Sequence, residues 1–377
     1  MTAPLDITVL GLSITSSWGN GHATTYRGLL REMAARGHRI TFLERDVPWY
    51  AGAHRDCPAP LGVDTILYGS LEELYDRHAE RVRRADAVIV GSYVPDGVAV
   101  GDWVQATARG LTAFYDIDTP VTLAGLAGGG TAYLAARQIP GYGLYLSFTG
   151  GPTLTRLERA FGSPMARPLH CSADPASHRP QPAAERWALG YLGTYSNDRQ
   201  PVLDRLLLGA AQALPEQRFV VAGPQYPADI AWPANVERIE HLPPPAHPGF
   251  YSAQRFTLNV TRADMVRAGW SPSVRLFEAA ACGAPIISDA WDGLDSLFRP
   301  GREIIIARDT AAVLDALTRL SEAEVQALGK RARTRVLAAH TAAHRAGELE
   351  AHLRTALRLR GAGVIPVPRA AAAGARA

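Results

Sequence analysis

The chain has 377 residues, 47% hydrophobic and 20% charged, which supports about two folded domains at roughly 100–200 residues each and excludes disordered and fibrous architectures. Its 39 basic and 36 acidic residues leave a formal charge of +3, which carries no signature of a nucleic-acid binder. No apolar run approaches the ~18 residues of a membrane span.

Short apolar runs alternate with helical patterns from the start. Leu5–Leu12 reads as a buried strand, Ala23–Ala35 as an amphipathic helix closed by Gly37, and Arg39–Leu43 as the next strand. Ile66–Tyr68, Ala87–Val90 and Leu111–Tyr115 repeat the strand signal, with helical stretches such as Leu71–Arg84 between them. Continuous Val/Ile/Leu strands separated by helices predict a parallel sheet covered on both faces. Arg167–Pro182, rich in Pro, Ser and His, reads as an interdomain linker.

The alternation then restarts with strand Leu189–Gly193, helix Val202–Ala213 and strand Arg218–Ala222. Strand Thr257–Val260, helix Val274–Cys282 and strands Pro285–Ser288 and Glu303–Ala307 follow. Helices Thr310–Leu320 and Glu322–Ala339 and a last helix to about Arg360 close the pattern. The expected organisation is an α/β chain of two doubly wound Rossmann-like domains, residues 1–180 and 181–345, with a C-terminal helix over 346–360 and a flexible tail over 361–377. Such a pair implies a ligand cleft at the carboxyl ends of the strands.

Residue usage narrows the chemistry. Lys330 is the single lysine, which argues against Schiff-base, pyridoxal phosphate and P-loop mechanisms. Cys57, Cys171 and Cys282 form no C-x-x-C pair, so neither a disulfide framework nor a zinc finger can be built. The segment MTAPLDITVLGL lacks the basic start of a signal peptide, and the expected compartment is the cytoplasm.

The strongest local pattern is WSPSVRLFEAAACGAP, Trp270–Pro285. Ser271 as N-cap and Pro272 as first helical residue would leave the amides of Ser273 and Val274 free, an anion-binding end. Arg275 adds a cation suited to phosphate, and Glu278, one turn on, a carboxylate for sugar hydroxyls. The plain alternative is a capped helix with an Arg275–Glu278 surface pair. In the first domain, GNGHAT places Gly19 and Gly21 in a loop, with His22 as a candidate base or a mere helix-start residue. Glu44 then ends the next strand, as a dinucleotide-binding acid would. Asp116 and Asp118, in FYDIDTP, are candidates for acceptor or base roles, or simply cap a turn. Thr149, Gly150 and Gly151 form a turn that could line the same place.

The segment FEAAACGAPIISDAWDGLDSLFRPGREIII resembles the nucleotide-sugar-binding region of GT-B glycosyltransferases, closest to the glycosyltransferase family 4-like and CgeB-like groups. GYLGTYSNDRQP resembles the opening of their second domain, and CSADPASHRP their interdomain linker. The resemblance implies that Glu278 binds the donor ribose, and that Ser273, Val274, Arg275 and Arg199 hold the diphosphate. It also implies that Thr194, Tyr195, Gly223 and His241 surround the donor, with Gly19 and Gly21 lining the diphosphate loop. Trp270 stands where a further Glu is usual in family 4, and Thr194 where Arg is usual. The implied activity is metal-independent, cofactor-free, retaining transfer from a nucleotide-diphosphate sugar to a carbohydrate, natural-product or cell-envelope acceptor. An NAD-dependent oxidoreductase using GNGHAT and Glu44, and a non-catalytic nucleotide-sugar binder, are the alternatives.

Overall fold

The computed structural model describes residues 3–365. The chain forms two compact units. The first runs to His170 and resumes at Ala342; the second is Cys171–Thr341.

The first unit holds seven strands: β1 (Asp6–Gly11), β2 (Arg39–Arg45), β3 (Asp64–Tyr68), β4 (Ala87–Gly91), β5 (Leu111–Asp116), β6 (Leu144–Ser147) and β7 (Ala166–Pro168). They lie in the order β3-β2-β1-β4-β5-β6-β7. Every pairing is parallel, Asp6 opposite Arg39 and Gly11 opposite Glu44 setting the β1–β2 register. All residues of β4 and β5 are buried, as strands covered by helices on both faces must be. The helix Leu71–Arg84 starts and stops where the sequence predicts. Ser70 accepts from the Glu73 amide and three arginines close the last turn, which fixes both ends.

The second unit holds β8 (Trp187–Leu192), β9 (Phe219–Ala222), β10 (Val236–Ile239), β11 (Gln254–Asn259), β12 (Ile286–Ser288) and β13 (Ile305–Ile306), in the order β10-β9-β8-β11-β12-β13. Both sheets begin with the strand sequence 3-2-1-4-5-6 of doubly wound folds, so each has a switch point where its first and fourth strands adjoin. The expected strand Glu303–Ala307 shrinks to two residues, because Glu303 turns its carboxylate back to the Arg299 amide. The stretch Gln200–Ala213 is helical throughout but carries a π-turn at Asp204–Leu208.

Two expected boundaries move. The segment read as a linker is built into the units: β7 pairs with β6, and Cys171 and His178 are buried in the second unit. The Ala173 amide donates to the His340 carbonyl at 3.1 Å. The lack of periodicity signalled irregular backbone, not exposure. The helix Ala342–Gly361 begins before residue 346 and returns to the first unit, burying Ala346, Leu349, Leu353 and Ala356. Glu350, held by Arg36 and Arg354 at 2.7 and 2.8 Å, pins it there. Residues 366–377 of the expected tail lie outside the described residues.

Candidate functional site

In the second unit the switch point lies between β8 and β11, and the residues following those strands converge there. The helix Val274–Ala281 begins two residues later than the sequence suggests. Pro272 turns its carbonyl to the Cys171 thiol, 3.4 Å away, and Ser273 is the extended N-cap. Ser271, the expected cap, is buried. No side chain caps the first amides of this helix, because the Ser273 hydroxyl donates instead to Asn259 Oδ1 at 2.7 Å. That leaves a partly exposed, uncapped positive end.

Arg275 does not pair with Glu278. It is 7% exposed, its Nη1 donates to Asn259 Oδ1 at 3.0 Å, its Nε to the Leu192 carbonyl, and its Cζ lies 4.6 Å from the Tyr191 ring centroid. Arg199 Nη2 donates to the Thr194 carbonyl at 2.7 Å, while its buried Nε has no partner. Burial pushes Arg199 below the usual guanidinium range; Tyr191 opposes this, and the charges of Arg275 and Arg262 add to it. Among the described residues neither Arg199 nor Arg275 forms an ion pair. Arg275 is buried and Arg199 half-buried, and their charges oppose each other, while the Arg275 charge also acts on the Asp289 carboxylate and the Arg199 charge on Asp198.

The loops after β8 and β9 touch. A Cβ on Gly223, whose φ is +139°, would sit 2.1 Å from the Gly193 carbonyl oxygen, so only glycine fits. Tyr226 donates to that same carbonyl at 3.1 Å, and the Arg238 guanidinium lies over both the Tyr226 and Trp232 rings. Tyr195 packs edge-on against Tyr226.

Glu278 is 5% exposed and faces two histidines. His178 Nε2 is 3.6 Å from its Oε1, and His247 Nδ1 is 4.0 Å from its Oε2. Burial and then the Glu278 charge push the Tyr251 phenol well up and the Cys282 thiol up to about 12.

In the first unit the corresponding ends of β1, β4 and β5 gather His22, Tyr93, Asp116 and Asp118. His22 packs edge-on against Tyr93, whose hydroxyl donates to Asp118 Oδ2 at 3.2 Å. Burial holds His22 below its ordinary value, Asp118 acting against it, so its ring is neutral near pH 7. Asp116 is fully buried and its oxygens accept from Tyr145 at 2.5 Å and Thr122 at 2.8 Å. The direct ligand contact expected of Asp116 is therefore closed, and burial pushes its pKa up to about 6. Gly19 and Gly21 have open space where a Cβ would point.

Glu44 is not open to a dinucleotide. It is 0% exposed and accepts from Ser13 Oγ, the Ile14 and Thr15 amides and Thr15 Oγ1 at 2.6–3.0 Å. The acid that the sequence offers to a ribose instead ties down the β1 loop.

Residues 199–351, less than half of the chain, match the family model for glycosyl transferase-like proteins. No protein of curated function matches. Sucrose-phosphate synthase from Thermosynechococcus elongatus superposes with a TM-score of 0.62 at 16% identity, covering 95% of this chain and 100% of that one. Anabaena HepE in complex with UDP-glucose gives 0.66 at 12% identity, over 93% and 100%. An alpha-glucosyltransferase in complex with UDP-glucose and abasic-site DNA gives 0.69 at 12%, over 93% and 100%. The fold is that of the GT-B glycosyltransferases.

Within this GT-B fold, Arg199, Thr194, Tyr195, Gly223, Ser273, Val274, Arg275 and Glu278 all belong to the second unit. His241 is exposed at the end of β10, and it is His247, six residues on, that faces Glu278. His178, His247, Asn259 and Tyr191 were missed. The Pro that follows His247 marks a helix start, a signal that would have placed its ring at the head of a helix. Trp270 has a φ of +45°, its amide donates to the Asp292 carbonyl at 2.6 Å, and its indole lies against Gly293. No helix among the described residues is long and apolar enough to cross a membrane.

Proposed function

We propose that this protein is a glycosyltransferase that uses a nucleoside-diphosphate sugar, binds it on the second unit and needs no metal for transfer. The single observation that carries the reading is the pair of guanidinium groups without an ion pair at the switch point, buried Arg275 and half-buried Arg199 with its unpartnered Nε, beside the uncapped Val274 helix. A diphosphate pairs with both guanidinium groups, and Glu278 takes the ribose hydroxyls. Thr194, Tyr195, Gly223 and Tyr226 line the base side. The glycosidic C1–O bond to the diphosphate breaks as a bond to an acceptor hydroxyl forms, and the fixed cations stabilise the departing charge.

His22 takes the acceptor proton on its neutral ring, with Asp118 close by and Asp116 holding the turn through Tyr145 and Thr122. Gly19 and Gly21 keep the loop close to substrate. The acceptor class is a carbohydrate, natural product or envelope precursor, rather than nucleic acid, since the chain carries almost no net charge. Retention of configuration and kinship with the CgeB-like group follow from the sequence resemblance. The three free cysteines suit the cytoplasm.

A thermal-shift panel of UDP, GDP, dTDP and ADP sugars tests the reading, because a ligand of the native state raises its melting point. One nucleotide series should stabilise the protein, and slow donor hydrolysis should accompany it. A flat panel overturns the donor site, and binding without any hydrolysis or transfer leaves a nucleotide-sugar binder.

A further inference from the structure

Glu278 and its two histidines form a cluster that ribose recognition does not explain. One ligand atom from each of His178, His247 and Glu278 lies within 4.8 Å of the others. His178 is 6% exposed, yet neither of its ring nitrogens has a partner, and the buried Nδ1 of His247 has none. Buried polar atoms are nearly always paired, and three bare nitrogens around one carboxylate are an exception that needs a cause.

The tautomer of His247 sharpens the point. Its Nε2 lies 3.2 Å from the Leu242 carbonyl, a contact that only an N–H can satisfy, which assigns the proton to Nε2. Nδ1 then presents a lone pair to the Glu278 carboxylate. Two acceptors facing each other at 4.0 Å repel unless a positive charge sits between them.

We propose that His178, His247 and Glu278 bind a divalent transition-metal ion of the zinc type. Two neutral imidazoles and a carboxylate are a recurrent three-ligand set for such an ion, with a fourth position left for water. Hard ions such as Mg²⁺ and Ca²⁺ prefer all-oxygen sites and are disfavoured here. Zinc–ligand bonds of about 2.0–2.2 Å place tetrahedral ligands roughly 3.4 Å apart, so the cluster closes on the ion by small side-chain rotations. Outer contacts are already in place. The Leu242 carbonyl orients His247, and the His178 amide is fixed to the Asp174 carbonyl at 2.7 Å.

The ion takes an oxygen of Glu278 that the donor reading assigns to ribose, so metal and donor compete. This consequence, unlike the site itself, rests on the proposed function. Occupancy makes the second unit a metal-inhibited donor site.

The test titrates Co²⁺ and Zn²⁺ into chelator-treated full-length protein, following the tetrahedral Co²⁺ visible band and the calorimetric stoichiometry. One ion per chain is expected, with the band lost in His178→Ala and His247→Ala. His178→Gln, which keeps size and polarity, should lose it too while melting as the parent does. No band, or the same band in both Ala variants, overturns the site. A UDP sugar, its own affinity for Zn²⁺ measured beforehand without protein, is then titrated with and without bound Zn²⁺. Weakened donor binding supports the competition, and unchanged binding overturns it. If no metal binds but Glu278→Gln loses the donor, the metal site falls and the donor reading stands. If metal binds and Glu278→Gln leaves donor affinity intact, the metal site stands and the ribose role falls.

Discussion

Arg275 covers the ring of Tyr191, its Cζ 4.6 Å from the centroid, and fixes its guanidinium to Asn259 from the end of the neighbouring strand. The cation is thus oriented before any ligand arrives, by one side chain from β8 and one from β11. Arg275→Ala should weaken nucleoside-diphosphate binding by 10- to 100-fold, since hydrogen bonds to charged groups contribute about 1.5–3 kcal/mol. Arg275→Lys should recover little, because an ammonium cannot both stack on Tyr191 and fork to Asn259 and phosphate. Isothermal titration of the three proteins checks this; full recovery by lysine contradicts the oriented-fork account.

Glu278→Gln should weaken nucleoside diphosphates while leaving inorganic pyrophosphate unaffected. The ribose contact is lost and the phosphate contacts are kept. Competition titrations with both ligands separate the two; equal loss for both places Glu278 among the phosphate contacts instead.

Asp116 gives a pH signature. Burial raises its folded-state pKa to about 6 from an ordinary 3.8, so between about pH 4 and 6 the folded state binds more protons than the unfolded. Its contribution is full below pH 4 and is lost as pH rises through 6, about 3 kcal/mol at one pKa unit per 1.36 kcal/mol. Asp116→Asn should remove this dependence. The difference in melting temperature between parent and variant, followed from pH 4 to 7, should therefore tilt in the variant's favour as pH rises. A constant difference contradicts the assignment.

Gly223→Ala should cost about 2 kcal/mol or more and impair donor binding, because a methyl group at φ +139° collides with the Gly193 carbonyl. Denaturant unfolding measures the first effect and calorimetry the second. A neutral variant means that the β8 and β9 loops are free to separate.

The alternation of strands and helices was legible because buried parallel strands are continuous apolar runs and because caps such as Ser70 and Ser321 mark helix starts. Arg275 and Glu278 were singled out from the pattern of one helix start, and Arg199 from the resemblance of one loop to a known family. Their partners were not. Glu44 ends a strand as a ribose acid would, and only the fold reveals four donors already on its carboxylate. His178 sits in aperiodic, Pro-rich sequence that resembles an exposed linker, and it meets Glu278 across a hundred residues of chain. Ser271 and Pro272 carry ideal helix-start chemistry, but the Cys171 thiol claims the Pro272 carbonyl and the helix waits for Ser273.

Glu44→Gln should lower stability by about 1–3 kcal/mol, since an amide nitrogen then faces groups that are themselves donors. Adding NAD should shift neither the parent nor the variant in thermal denaturation. A melting shift with NAD in the parent contradicts the sealed geometry of this carboxylate.

The most direct measurement is a calorimetric titration of free UDP, GDP, dTDP and ADP into the parent chain, Arg199→Ala and Arg275→Ala. One diphosphate should bind the parent at one per chain, and each arginine loss should weaken it at least tenfold. If no diphosphate binds the parent, or both variants bind as the parent does, Arg199 and Arg275 are not an anion site.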